Sequence, residues 1–433
     1  MMVQVFFIAN GHANKYLNEI KILLQSRLRV TEARYLWECD VIVALCTIVS
    51  RVGTDVEATL REIPPTAKPT VLVVLHPTFD SDYVVPNTQS FVYVNAPTKA
   101  NQSPNRQKSN RRAVMFLYLC GLLVLYYVYR WFKELSTVPD KGNKYVYVTG
   151  CDSGFGKLLA QTLDSRGFRV IASCYTEKGE EELRKSCSDQ LTTLHLDVRK
   201  NDSINKAAAL IKDKVGDKGL WAVVNNAGVS VPSGQCDWLT IDDYKSMLDV
   251  NLMGVIAVTL SVLPLIKKAQ GRVVNMSSIF GRIAPTGGPY CVSKYAVEGF
   301  CDSLRLNMHP FGVKVICIEP GFFKTNVTDT EILMRNVQQL WDKLPQEVKD
   351  DYGDDFVPKV NKVMEDKFAK LPDADLMKVV SCQEHGVSAV HPRKRYSPGW
   401  DAKLFWLPLS YMPSCVSDYL LLKDAVKPAK AVN

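Results

Sequence analysis

Tyr290 and Lys294 stand four residues apart in "GGPYCVSKYAVEGF" (287–300), which puts both side chains on one face of a helix. A tyrosine with its ordinary pKa near 10 is only about one part in a thousand ionised at pH 7. An ammonium about 4 Å from the phenolate supplies about 4 kcal/mol at an effective dielectric of 20, or about three pKa units. That makes Tyr290 a usable general base. A lone pair at this spacing is more often a solvated surface pair, so the surrounding residues carry the weight. Ser278 closes "GRVVNMSS" (271–278), twelve positions before Tyr290, where its hydroxyl can hold a substrate oxygen. Ser277 is turned to the opposite face by strand alternation. Asn251, in "LDVNLMG" (248–254), can support a water that carries protons from Lys294 to solvent.

A second set of residues is suited to a dinucleotide. Thr149, Gly150, Gly154, Phe155 and Gly156 lie in "TGCDSGFGKLLAQTL", between a strand-like and a helix-like run. Glycines there let the backbone turn tightly and approach a pyrophosphate, which then sits at the positive end of a helix. In "NNAG" (225–228), Asn225 and Asn226 can tie neighbouring loops, while Ala227 and Gly228 leave room for a flat ring. Asp197, in "LDV" (196–198), can accept a hydrogen bond from an adenine amino group. In "EPGFFKT" (319–325), Pro320 and Gly321 shape a turn and Thr325 can bond a carboxamide. Each of these alone is equally compatible with an ordinary loop.

The elements that must position these residues are strands and helices in alternation. "YVYVTG", "RVIASC", "LTTLHLDV", "LWAVVNNAG", "GRVVNMSS" and "VKVICIEP" read as apolar strands separated by helical stretches. This pattern predicts an α/β fold, a Rossmann-type doubly wound parallel sheet over residues 141–400. Every motif falls at the carboxyl end of a strand, where such sheets bind ligands. Residues 401–433 read as an apolar extension with a basic tail. Helical spacing in "ILMRNVQQLWDKL" (332–344) and the aromatic "DAKLFWLPLSYM" (401–412) fit a substrate lobe or plain core packing. Residues 1–98 read as a small α/β unit, with strands "VQVFFIA", "CDVIVALCTIV", "TVLVVLH" and "FVYVNA" around the helical "NKYLNEIKILLQSRL". No catalytic constellation stands out there.

With 433 residues, 47% apolar and 23% charged, the chain can bury the cores of two domains. Much of its net charge of +8 resides in a basic polar linker, 99–112, and in the tail, which leaves no nucleic-acid footprint. The twelve cysteines are scattered without CxxC or metal-ligand spacing. They read as reduced thiols, and no metal is expected. Residues 113–132 hold the strongest hydrophobic run, "AVMFLYLCGLLVLYYVY". At about 1.5 Å per residue it is a short membrane-spanning helix, with Trp131, Arg130 and Lys133 suited to the interface. Five basic residues before it and four after it leave its orientation undetermined. A chain starting at Met115 would carry only the four behind the helix, placing the following domain in the cytosol. Residues 1–114 then read as an added unit dispensable for catalysis.

Taken in order, TGxxxGxG, NNAG, Asn251, Ser278, YxxxK and PG resemble the short-chain dehydrogenase/reductase family. "VTGCDSGFGKLLA", "YCVSKYAVEGF", "FGVKV" and "HPRKRYSPGWDAK" resemble its membrane-bound retinol and 3α/17β-hydroxysteroid dehydrogenase branch, over about residues 115 to 430. The resemblance implies Tyr290 as proton acceptor, Lys294 as its activator and ribose ligand, Ser278 as substrate-oxygen ligand and Asn251 as relay. It implies a nicotinamide cofactor, a lipophilic alcohol such as a retinoid or steroid, an endoplasmic reticulum (microsomal) membrane, and admits a homo-dimer. The second strand lacks the acidic residue usual for a ribose 2′-hydroxyl. Asp152 in the glycine turn nevertheless favours NAD over NADP, with Lys178 the counter-candidate. The alternative is a non-catalytic cofactor-binding scaffold whose N-terminal unit recruits partners.

Overall fold

The computed structural model describes residues 3–9, 17–27, 30–47, 59, 61, 63, 68–75, 129–130, 133–285, 288–368 and 370–432. The expected strand at 91–96, the linker at 99–112 and nearly all of the expected spanning helix at 113–132 lie outside them. The chain divides into two compact units, Met1–Leu117 and Tyr118–Asn433.

The first unit holds β1 (Val3–Ala9), α1 (Leu17–Arg27), β2 (Val30–Glu32), β3 (Val41–Thr47) and β4 (Thr70–Leu75). They form a parallel sheet in the order β2-β1-β3-β4, as an α/β reading requires. The three-residue β2 escapes a reading based on apolar runs because it is too short to show a period.

The second unit is built from β5 (Tyr145–Thr149), α2 (Gly154–Ser165), β6 (Arg169–Cys174), α3 (Glu177–Ser186), β7 (Thr192–His195) and α4 (Asn201–Val215). It continues with β8 (Ala222–Asn225), α5 (Ile241–Leu248), α6 (Val255–Lys268), β9 (Arg272–Met276), α7 (Pro289–Met308) and β10 (Lys314–Ile318). After β10 come α8 (Thr330–Lys343), α9 (Gln346–Tyr352), α10 (Phe356–Phe368), α11 (Met377–Ser388), β11 (Arg395–Tyr396), α12 (Leu407–Leu409) and α13 (Ser414–Leu422). The seven strands are ordered β11-β10-β9-β8-β5-β6-β7, all parallel. The six expected strands are present; β11 lies in the basic, proline-bounded "HPRKRYSP", whose composition hides it.

The central strands are apolar on both faces because both faces are covered. Val146, Val148, Val170, Val224 and Val274 pack with Leu159 and Leu163 of α2 and Val379 and Val380 of α11. The alternate residues Tyr147, Ile171, Val223 and Val273 pack with Ile211 of α4, Val262 of α6 and Val297 of α7. Each such side chain contributes about 1.5–3 kcal/mol on burial. The strand order reverses between β5 and β8, and the crevice of a doubly wound sheet opens there. Among the described residues, Ile241–Lys268 is long and apolar enough to cross a membrane. Its buried stripe, including Val255, Val258, Val262 and Ile266, closes one face of the sheet, so it serves as a core helix.

The apolar spacing of α8 divides between two roles. Val337 and Leu340 are core, packed against Trp238 and Phe356. Ile332 instead lines a cavity of about 380 Å³ with Val231, Pro232 and Arg335.

Candidate active site

Tyr290 occupies the second position of α7, behind Pro289, which pre-sets the first helical turn. Lys294 follows one turn later and is 6% exposed. Its Nζ lies 5.6 Å from the Tyr290 ring centroid and donates to the Met276 carbonyl at 3.1 Å. Ser278 caps a short turn at Ile279–Gly281 and shares a hydrogen bond with the Tyr290 hydroxyl. Ser277 is engaged differently, its hydroxyl donating to the Lys294 carbonyl at 3.3 Å; both serines lie just past the end of β9.

Electrostatics at the pair differ from the sequence expectation. Desolvation pushes the Tyr290 hydroxyl up to about 12, opposed by its bond to Ser278. Desolvation also pushes the Lys294 ammonium down to about 8. The group that offsets the burial of the Tyr290 hydroxyl is Ser278, through its hydrogen bond. The lysine alone does not outweigh the burial that disfavours the phenolate.

Asn251 lies in a π-helical turn, Asp249–Gly254, and is fully buried. Its Oδ1 accepts from Val229 N at 2.9 Å, and its Nδ2 donates to Val229 O at 2.9 Å and Ser293 Oγ at 3.1 Å. The side chain therefore anchors the segment after "NNAG". A Cβ built on Gly228 would lie 3.3 Å from Asn251 Oδ1 and 3.7 Å from Lys294 Nζ, so both polar groups face that glycine.

The glycine turn is held by side chains rather than by its glycines alone. Thr149 Oγ1 accepts from Asn226 N at 3.0 Å and Ala227 N at 3.1 Å. Asn226 Nδ2 donates to the carbonyls of Thr149 and Gly150, both at 3.0 Å. Gly150 has φ +69°, and a Cβ there would strike Ala227 Cα at 2.7 Å. Ser153 precedes α2 without a side-chain cap, which leaves the first helix amides available to an anion. That uncapped end, beside a turn too close for side chains, fits a pyrophosphate.

Three residues expected to contact the cofactor have other partners. Asn225 is 2% exposed, and its Nδ2 donates to Thr259 Oγ1 at 2.8 Å and Asn275 Oδ1 at 2.7 Å. It ties β8 to β9 and α6, inside the sheet layer. The Asp197 carboxylate is gripped by Arg199 through Nε and NH2, both at 2.9 Å, and that pairing lowers its pKa. Thr325 caps the turn Asn326–Thr328, and its N–H donates to Thr328 Oγ1 at 3.1 Å. Its methyl group lies 3.8 Å from a Cβ placed on Gly154, so it does stand over the glycine turn.

Sequence reasoning missed Asp401. It is 2% exposed, and its Oδ2 accepts from Phe322 N at 2.9 Å. A Cβ on Gly321 would meet its Oδ1 at 2.2 Å. Asp401 therefore clamps the Pro320–Gly321 turn, and the usable signal was its place in "SPGWDAK". Asp401→Ala is expected to weaken cofactor binding about tenfold and Asp401→Asn much less, since loss of a buried hydrogen bond costs about 1–3 kcal/mol. Cofactor titration by fluorescence checks this; equal affinity in the alanine variant would refute the clamp. Nearby, Glu298, Cys317 and Glu319 place ligand-type atoms within 4.8 Å of one another. Arg395 pairs with both carboxylates and Ser397 donates to Glu319 at 2.9 Å, so this is an ion-pair lock joining β11 to β10.

A doubly wound sheet with a glycine turn, a serine, and a tyrosine and lysine one helical turn apart is the framework of one enzyme class. Residues 144–336 match the short chain dehydrogenase family, and the chain belongs to it. The rat "Retinol dehydrogenase 7" is 52% identical over 318 residues, which is 73% of this chain and 100% of that protein. The human "Retinol dehydrogenase 16" is 51% identical and the human "17-beta-hydroxysteroid dehydrogenase type 6" 48% identical, with the same coverage. A short-chain dehydrogenase of Streptomyces avermitilis shares the fold, with a TM-score of 0.52 at 23% identity, over 65% of this chain and 97% of that one. The chain is thus an oxidoreductase of a family that works with nicotinamide cofactors.

Proposed function

We propose that this protein is a membrane-bound, NAD-preferring dehydrogenase of the endoplasmic reticulum that interconverts a lipophilic alcohol, a retinoid or hydroxysteroid, with its carbonyl. The observation that carries this is the Tyr290 hydroxyl bonded to Ser278 with the Lys294 ammonium 5.6 Å from its ring. The relatives named for retinol and 17-beta-hydroxysteroid support the substrate class.

Gly150, Gly154 and Gly156 with the start of α2 would hold the pyrophosphate. Gly228, the Pro320–Gly321 turn and Lys294 would hold the nicotinamide half. When bound, the cofactor supplies the hydride acceptor or donor and, in its oxidised form, a positive charge. Ser278 holds the substrate oxygen while Tyr290 takes its proton in oxidation or returns it in reduction. With its hydroxyl pushed to about 12, Tyr290 is a ready proton donor at neutral pH; acting as a base requires positive charge beyond Lys294. Lys294 faces Gly228 and contacts the Met276 carbonyl, which suits a proton path past Asn251. The side chain of Asn251 serves to hold that path's walls.

Asp152 supports the preference for NAD. Its carboxylate accepts from Tyr175 N at 2.9 Å and Thr176 N at 2.8 Å, directly after β6. This sets a negative charge at the turn where such folds read the adenosine ribose. Of the cations nearby, Arg199 is already paired with Asp197, and Lys178, in the first turn of α3, is the residue that would oppose the preference. A second copy of the chain suits the exposed apolar residues Met253 and Leu260 on one helix and Val292 and Tyr295 on the next. The test is a panel of retinoids and 3α- and 17β-hydroxysteroids with each cofactor, on detergent-solubilised protein. Oxidation with NAD is expected to exceed that with NADP by at least about tenfold in kcat/KM, about 1.4 kcal/mol. Absence of turnover with every member of the panel would favour the scaffold reading instead.

A further inference from the structure

The chain from Trp400 to Leu422 presents an apolar surface that nothing among the described residues covers. Trp400, Leu404, Tyr411, Met412, Tyr419 and Leu422 are each more than half exposed. Helix α13, "SCVSDYLLL", contains no buried residue. A helix of nine residues is marginal in water on its own, and a run of exposed leucines and tyrosines needs an apolar counterpart.

Several observations say what that counterpart is. At about 1.5 Å per residue α13 is about 14 Å long, against a hydrocarbon core of about 30 Å, so it cannot span one. Pro408 and Pro413 break the segment into short pieces, which suits an element lying on a surface. Tryptophan and tyrosine favour the membrane interface. From 402 to 432 the chain carries Lys403, Lys423, Lys427 and Lys430 against Asp418 and Asp424, and Lys430 is already paired with Asp351, so the attraction to a bilayer is chiefly apolar and aromatic rather than electrostatic. The segment also touches the site. Arg282 donates to Tyr411 OH at 2.6 Å, and Trp406 packs edge-on to Phe280 at 5.6 Å. Phe280 N in turn donates to Ser278 Oγ at 3.2 Å.

We propose that Trp400–Leu422 lies in the surface of a phospholipid bilayer, a second membrane contact separate from residues 113–132. It brings the Ser278 end of the site against the lipid in which a lipophilic alcohol dissolves. This last role rests on the function proposed above; the contact itself does not.

The test reconstitutes the full chain in phosphatidylcholine–phosphatidylserine vesicles containing a phosphatidylcholine with a diazirine on its acyl chain. Photolabelled peptides are mapped by mass spectrometry. Label is expected within 400–422 as well as 113–132. In a Leu404→Glu, Tyr419→Glu double variant, label in 400–422 should fall about tenfold while label in 113–132 persists. Both side chains are exposed, so equal melting midpoints are expected for parent and variant. The KM for a vesicle-borne alcohol should rise several-fold in the variant, with kcat/KM for a short water-soluble alcohol unchanged. Label confined to 113–132, label in 400–422 unchanged by the substitutions, or cross-links joining that segment in two copies would overturn the proposal. Labelled but inactive parent protein would overturn the enzymatic reading and leave the bilayer contact standing.

Discussion

Tyr290→Phe is expected to lower kcat/KM for alcohol oxidation by about 10³- to 10⁴-fold, about 4–5.5 kcal/mol in the barrier. Cofactor affinity should stay within about threefold, because only the hydroxyl is removed and the ring keeps its place at the head of α7. The pH dependence provides a second reading. In the parent, the folded-state hydroxyl is pushed to about 12, above the assay range even after a bound cation lowers it part of the way. The ionised fraction therefore grows with pH, and oxidation should rise from pH 6 toward 8, whereas reduction, which uses the protonated form, should not. The phenylalanine variant should lose the rise. Residual turnover within about tenfold of the parent would refute the assignment of Tyr290 as the proton-transferring group.

Lys294→Ala is expected to reduce kcat/KM by about 10²- to 10³-fold and to weaken cofactor binding about tenfold, since one ammonium faces both the tyrosine ring and Gly228. Lys294→Met, which keeps the packing of the stem, separates charge from cavity; the two variants should be equally inactive. Burial holds the folded-state ammonium near 8, below its ordinary 10.5. Its charge is thus present below about pH 8 and lost above, so the parent's oxidation profile should bend there. The sign for stability is the reverse of a paired lysine. Between about 8 and 10.5 the unfolded chain binds more protons, so the parent should gain stability as pH rises through that window. The methionine variant should not. An unchanged cofactor affinity in both variants would remove Lys294 from the cofactor site.

The glycine turn, "NNAG" and the serine pair were legible because each lies at the end of an apolar strand, and the tyrosine–lysine pair because its spacing is one turn of a helix. A parallel sheet must deliver all strand ends to one edge. The roles within that edge were less legible. Asn225 and Asn226 are chemically identical neighbours, yet one is spent inside the sheet on Thr259 and Asn275. The other clamps the glycine turn. Which way each points depends on where β8 ends, a single-residue boundary that composition does not mark. Asp197 likewise reads as a free acceptor, whereas Arg199, two residues on, folds back to pair with it.

By itself the sequence determined the parallel α/β sheet of the second unit, the order of its strands along the chain, and the residues that meet at its carboxyl edge. These follow from local periodicity and spacing, which any short window contains. Only the tertiary structure decided the balance of charge at Tyr290 and Lys294, because their surroundings are contributed by the end of β9, by α7 and by Cys317 of β10 together. It alone also revealed Asp401, about 80 residues beyond the turn it clamps, and the bare apolar face of α13. Helical spacing shows that a face is apolar, but only packing shows whether anything in the fold covers it.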